Sequence, residues 1–140
     1  MRRKHLENII YHIKMTKEDK ELLLKDLSAR LPYGVKVQIN SDIKKVVGVK
    51  NNFVVTKERG IFSTKEYITR IECCKPYLRP MSSMTEEEKR EYNLTKTLSI
   101  VDYPTLESFD WLLAHHFDFR NLIEHGLAIA VTEENNPYKS

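Results

Sequence analysis

The sequence predicts an α+β fold: an N-terminal helix, a small curled antiparallel β-meander, and C-terminal helices packed on it. Three observations lead there. Leucines recur at helical spacing up to Pro32-Tyr33-Gly34, the apolar period switches to two residues straight after Gly34, and helical spacing returns beyond Thr85 behind a capping signature. The chain has 140 residues, 41% hydrophobic and 31% charged, the composition of a globular protein. One domain of roughly 100–150 residues accommodates that length.

Leu6, Ile9, Ile10 and Ile13 fall on one face of a short helix, so residues 1–14 read as an N-terminal extension, with Met15 a second candidate start. Thr16 then caps a helix whose first turn is acidic, and Leu23, Leu24, Leu27 and Leu31 form its expected buried stripe. After Gly34, Val35, Val37 and Ile39 alternate with Lys36 and Gln38 as in a strand with one buried face. Asn40-Ser41-Asp42 turns the chain into a hairpin, 43–50 with 53–57, linked by Asn51-Asn52, whose side chains tolerate positive φ. Further strands are expected at 61–62 and 67–73, with Pro76 and Pro80 ending the sheet. A sheet of this size either curls into a small SH3-like or OB-like barrel or lays one face on a helix.

Beyond the prolines, Thr85-Glu86-Glu87-Glu88 is a capping box that opens a charged helix. A strand is expected at 97–101, then a helix with Leu106, Phe109, Leu112, Leu113 and His116 at helical spacing and Trp111 beside them. Phe119, Leu122 and Ile123 lead to Gly126 as a C-cap, 127–131 forms a last strand, and 132–140 frays. The single domain is thus expected over 15–131.

The net charge of +3 hides an asymmetry: residues 1–60 carry 14 Lys/Arg against 7 Asp/Glu, residues 61–140 carry 9 against 13. A basic half suits a polyanion partner, because cationic side chains near phosphates release condensed counterions. The only cysteines, Cys73 and Cys74, are adjacent and so read as free thiols in a reducing compartment. The basic N-terminus lacks an apolar secretory core, and no apolar run reaches the ~20 residues a membrane span needs. These features point to a cytoplasmic protein without a membrane partner.

Three residue groups could carry function. Lys36, Lys44, Lys45, Lys50, Lys57 and Arg59, with the aromatics Tyr33, Phe53 and Phe62, form a basic sheet that could track phosphates and stack bases. Tyr77, Leu78, Arg79, Met81, Met84 and Trp111 are residue types that dominate protein interfaces, or else they seal helices onto the sheet. His115, His116 and Asp118 include an i, i+3 pair of metal-ligand types, but no HExxH or cysteine ligand accompanies them; otherwise His116 faces inward and Asp118 caps the next turn. The four glycines, at 34, 48, 60 and 126, leave no phosphate-cradling GxxxxGK[ST] or GxGxxG motif. The thiols, on a strand, lack the histidine or helix N-terminus that would activate them. No cofactor is implied.

Two stretches, Lys75-Pro76-Tyr77-Leu78-Arg79-Pro80-Met81-Ser82-Ser83-Met84-Thr85-Glu86-Glu87-Glu88 and the run from Asp110-Trp111-Leu112-Leu113-Ala114-His115-His116-Phe117-Asp118 to Ile123, together with Met15-Thr16-Lys17-Glu18-Asp19 through Gly34-Val35-Lys36-Val37, resemble a family of small uncharacterised proteins of gut Bacteroidetes and their prophages or mobile elements. The resemblance spans most of 15–131 and implies a start at Met15, but it carries no activity or site residues. This chain has Asn121 where the family pattern leads to glycine. The expectation is a non-enzymatic binding or accessory protein that engages another protein. A nucleic-acid-binding module ranks second and a metal-dependent enzyme third.

Overall fold

Thr16 opens the first helix, α1 (Lys17–Arg30), by accepting a hydrogen bond from the Asp19 N–H at 3.1 Å. A computed structural model describes residues 15–96 and 104–139, so the helix expected over 6–13 and the strand expected over 97–101 lie outside the described residues. The chain divides into two compact units, Met1–Pro76 and Tyr77–Ser140.

In the first unit α1 buries Leu23, Asp26, Leu27 and Arg30. This i, i+3, i+4, i+7 stripe differs from the all-leucine one expected, since Leu24 and Leu31 are only partly covered. Arg30 Nε donates to Asp26 Oδ2 at 2.7 Å and Nη2 to Oδ1 at 3.1 Å, a bidentate pair with both side chains fully buried. A mutually neutralising fork of this kind is what allows two charges onto a helix's inner face. The helix ends in the 3-10 turn Leu31–Tyr33, and Gly34, at φ 71°, supplies the left-handed residue that reverses the chain.

Four antiparallel strands follow: β1 (Lys36–Ile39), β2 (Asp42–Lys50), β3 (Phe53–Arg59) and β4 (Thr64–Arg70). Asn40 and Asn51 sit at their two tight turns with φ 57° and 55°, as asparagine permits. Val35, Val37, Val46, Val54 and Ile71 are buried with Leu23 and Leu27, and α1 lies against β2 and the 3-10 turns 31–33 and 71–73. Of the two expected solutions the sheet adopts helix coverage: among the described strands β4 pairs with β3 alone, so no barrel closes.

The strands expected at 61–62 and 67–73 are displaced. Residues 61–62 form a hairpin tip, because the Gly60 N–H donates to the Ser63 carbonyl at 2.8 Å, and β4 gives way at Arg70 to the 3-10 turn Ile71–Cys73. Nor do the prolines end the sheet. Both belong to β5 (Cys74–Pro80), Pro76 as the last residue paired with β1 and Pro80 as the last of the strand, positions where a missing N–H interrupts no ladder.

In the second unit the Tyr77–Pro80 part of β5 pairs in parallel with the short strands β6 (Phe117–Asp118) and β7 (Ile129–Ala130). The expected capping box is present: Thr85 and Glu88 exchange hydrogen bonds of 3.0 and 3.1 Å at the start of α2 (Glu86–Leu94). Thr105 and Ser108 form a second at the start of α3 (Leu106–Ala114). That box buries Ser108 with Leu112 and Leu113, so the apolar stripe of α3 is shifted from the expected one and Leu106 stays 84% exposed. Met84, Leu112 and Phe117 make the local core, with Tyr92, Trp111 and Phe119 packed on it. Residues 132–139 are tied down, contrary to the expected fraying: the Tyr138 hydroxyl donates to the Tyr77 carbonyl at 2.7 Å, and its ring stacks on His116.

Arg79 links strand to helix in this unit. Its guanidinium lies 4.1 Å from the Phe117 ring centroid and donates two 2.7 Å hydrogen bonds to Glu88. Those bonds, reinforced by the Thr85 backbone N–H, hold the Glu88 carboxyl down at about 2.

Two outcomes follow from these ion pairs. In urea denaturation, D26A costs about 3–5 kcal/mol because it removes the carboxylate that neutralises a buried guanidinium, whereas the apolar replacement D26L/R30M costs less than that single change. Glu88 is depressed in the folded state, so its contribution is present above the usual carboxylate range and is lost as pH falls from about 5 to about 2. A series of Tm values across that window therefore declines less steeply for E88Q than for the unaltered chain, while at neutral pH E88Q is the less stable by roughly 1–3 kcal/mol.

Candidate functional site

Burial of Val46, Val54 and Thr56 fixes which side of the first unit's strands faces α1, and strand alternation then assigns every other side chain. Lys36 pairs with Lys45, Lys50 with Phe53, Phe53 with Arg70, Val55 with Ile68, Lys57 with Glu66 and Arg59 with Thr64. All of these lie on the outer side. That side thus carries Lys36, Lys45, Lys50, Lys57, Arg59 and Arg70, with Glu66 as its acidic side chain among the described strands. Between the cations lie the exposed apolar side chains Ile43, Phe53 and Ile68.

Of the six sequence-predicted cations, five share this surface. Lys44 does not: it pairs with the inner residue Val37, reaches Glu58 at 3.6 Å and lies 4.7 Å over the Tyr67 ring. Arg70 belongs to the set and was missed, although its pairing opposite Phe53 follows from continuing the alternation of the hairpin. Lys50 reaches the outer side through a β-bulge: the register shifts between Val46 and Gly48, which turns Val49 inward opposite Val54 and Lys50 outward. Uninterrupted alternation would have placed Lys50 with Lys44.

The β3–β4 hairpin extends past the rest of the sheet. β2 pairs with β3 only over residues 53–56, whereas β4 accompanies β3 to Arg59. Residues 57–68 are all exposed, and at the tip Ile61 and Phe62 are 93% and 98% exposed. Of the aromatics predicted for this surface, Phe53 is on the outer side and Phe62 at the tip, while Tyr33 is half-buried in the 3-10 turn after α1.

The proposed metal ligands are drawn into separate tasks. His115 Nδ1–H donates to the Trp111 carbonyl at 2.8 Å, and the ring stacks on Trp111 at 3.9 Å. His116 turns away at φ 63° and stacks on Tyr138. Asp118 is buried, its two carboxylate oxygens accepting from the Leu122 and Ile123 N–H groups at 2.9 Å each. It caps the turn that follows, the alternative stated from sequence. Asn121 takes φ 59°, a left-handed conformation that asparagine tolerates, so a tight turn forms there without glycine. Among the described residues no group of three His, Cys, Asp or Glu side chains is placed to hold a metal ion.

The residues predicted for a protein interface are mostly spent inside the second unit. Tyr77, Leu78 and Met84 are buried, Arg79 is engaged by Glu88 and Phe117, and Trp111 is half-buried between Tyr92 and Phe117; Met81 is the one that stays exposed. The thiols are poor nucleophiles. Burial, with Cys73 and Glu72 beside it, pushes the Cys74 thiol up to about 12, and burial and Glu72 raise Cys73 as well.

Among the described residues no helix is long and apolar enough to cross a membrane. No protein-family model, curated protein or solved structure matches this chain.

Proposed function

We propose that this protein is a non-enzymatic binding module that takes nucleic acid on the outer side of β1–β4. The observation that carries the reading is the charge of that surface, six cations to one carboxylate, set around exposed apolar and aromatic side chains. Phosphates are positioned by such cations with counterion release, and Phe53 beside Arg70 offers a base a ring and a guanidinium plane. A partner protein, the first expectation from sequence, loses support because most of its candidate anchors are internal. We read the setting as the cytoplasm, on the strength of two unbridged cysteines, and the role as that of an accessory protein of a prophage or mobile element, on the resemblance of residues 15–131.

Fluorescence anisotropy with labelled single-stranded and duplex oligonucleotides tests this. Affinity is expected to fall about 10²–10³-fold between about 50 and about 200 mM salt, as four to six phosphate contacts require. K45E/K57E lowers affinity at least about tenfold and flattens the salt slope by about two, whereas K17E/K25E on α1 does neither. No oligonucleotide binding, or binding indifferent to salt and to K45E/K57E, sinks the proposal.

A further inference from the structure

The outer surface explains attraction to a polyanion but leaves the hairpin tip without a task. Beyond Thr56 the β3–β4 hairpin is no longer paired with β2 in the ladder and continues as a two-stranded ribbon, Lys57 to Arg59 against Thr64 to Glu66, which β2 reaches through Lys44 on Glu58. Three residue pairs at about 3.4 Å each give a projection of roughly 10 Å before the turn. The major groove of B-DNA is about 8.5 Å deep and about 12 Å wide, and it admits a two-stranded ribbon. The ribbon carries Lys57 and Arg59 on its outer face with Glu66, and Lys65 on its inner face opposite Glu58, an excess of one cation along the length where a groove's phosphate rims would pass. Its end is apolar: Ile61 and Phe62 are almost wholly exposed and touch no core.

A hairpin tip has no structural need for such side chains. Gly60 is fixed by the turn, since a Cβ there would lie 2.8 Å from the Ser63 carbonyl oxygen, but Ile61 and Phe62 face solvent, where a polar pair would serve as well. Exposed isoleucine and phenylalanine at the end of a charged ribbon have the form of a wedge, the device by which proteins part a base step and kink a duplex.

Resting on the nucleic-acid reading above, we infer that the preferred ligand is duplex DNA, with the 57–66 ribbon laid in a groove and Ile61 and Phe62 inserted at a base step. Insertion unstacks that step and bends the helix, which brings flanking phosphates toward Lys45, Lys50 and Arg70. Binding energy from those contacts offsets the unstacking cost of a few kcal/mol.

The experiment uses the full chain and a duplex of about 30 base pairs carrying a donor and an acceptor dye at its ends, with 2-aminopurine at internal steps. The unaltered protein is expected to raise energy transfer between the ends and to brighten 2-aminopurine. I61S/F62S, whose changes sit at exposed positions and whose folding is checked by thermal unfolding, is expected to keep duplex affinity within about tenfold while losing both signals. K57A/R59A/K65A is expected to lose affinity without that selectivity. Duplex binding without bending, bending retained in I61S/F62S, or binding confined to single strands overturns the wedge and leaves the nucleic-acid reading standing. Binding to neither nucleic acid, with the unaltered chain but not I61S/F62S captured by anionic vesicles, overturns both.

Discussion

The buried Asp26–Arg30 pair decides how the N-terminal helix sits, and the surface of the sheet follows from it. With Leu23 and Leu27 it defines the covered face of α1, which turns Leu24 and Leu31 aside. Two charges leave water only if they are paired, and the two hydrogen bonds between Arg30 and Asp26 pair them within one turn of the helix. One helix then closes one side of the strands, over Val35, Val37, Val46 and Val54. Among the described residues of this unit it has no counterpart on the other side, where Lys45, Lys50, Lys57, Arg59 and Arg70 are exposed with Ile43, Phe53 and Ile68.

Much of this architecture is legible in residue spacing, because the strongest local signals and the tertiary structure agree. Thr16, Gly34, Thr85 and the paired asparagines at 51–52 stand where capping and turn chemistry puts them. The failures occur where tertiary context outweighs a local rule. No leucine count reveals that Asp26 and Arg30 face inward, since a charged residue is assigned to solvent until its partner is known. Pro76 and Pro80 read as strand breakers until the identity of β5's neighbours shows that their missing N–H groups interrupt nothing. The bulge at Val46–Gly48 leaves no mark in an alternating pattern beyond the glycine itself, yet it alone separates Lys50 from Lys44.

The second unit shows the converse, residues of reactive type committed to structure. Asp118 has both oxygens occupied by backbone N–H groups, His115 is clamped to Trp111, and Glu88 serves the cap of α2 and the guanidinium of Arg79 together. A carboxylate whose oxygens are both occupied in this way is poorly suited to bind or transfer anything. Clustering in sequence, as in His115-His116-Phe117-Asp118, is therefore weak evidence of a site: the left-handed turn at His116 sends neighbouring side chains to different surroundings. The two cysteines lead the same way by another route, with burial raising both thiols, that of Cys74 to about 12.

What then separates a functional surface from leftover exposure is whether the fold accounts for the residue. Lysines on a solvent-facing strand need no external reason, since solubility and protection against edge pairing suffice. Ile61 and Phe62 are different. They lie outside every packed cluster, on a turn closed by the backbone of Gly60 and Ser63, and they expose apolar area that favours aggregation in a hairpin with a free edge. The fold gains nothing from them and bears that risk. On the reading proposed above they are accounted for by a contact beyond the chain, and Lys57, Arg59 and Lys65, which outnumber Glu58 and Glu66 on the same ribbon, suit a partner that is negatively charged at its rim and apolar within, as stacked base pairs between phosphate backbones are.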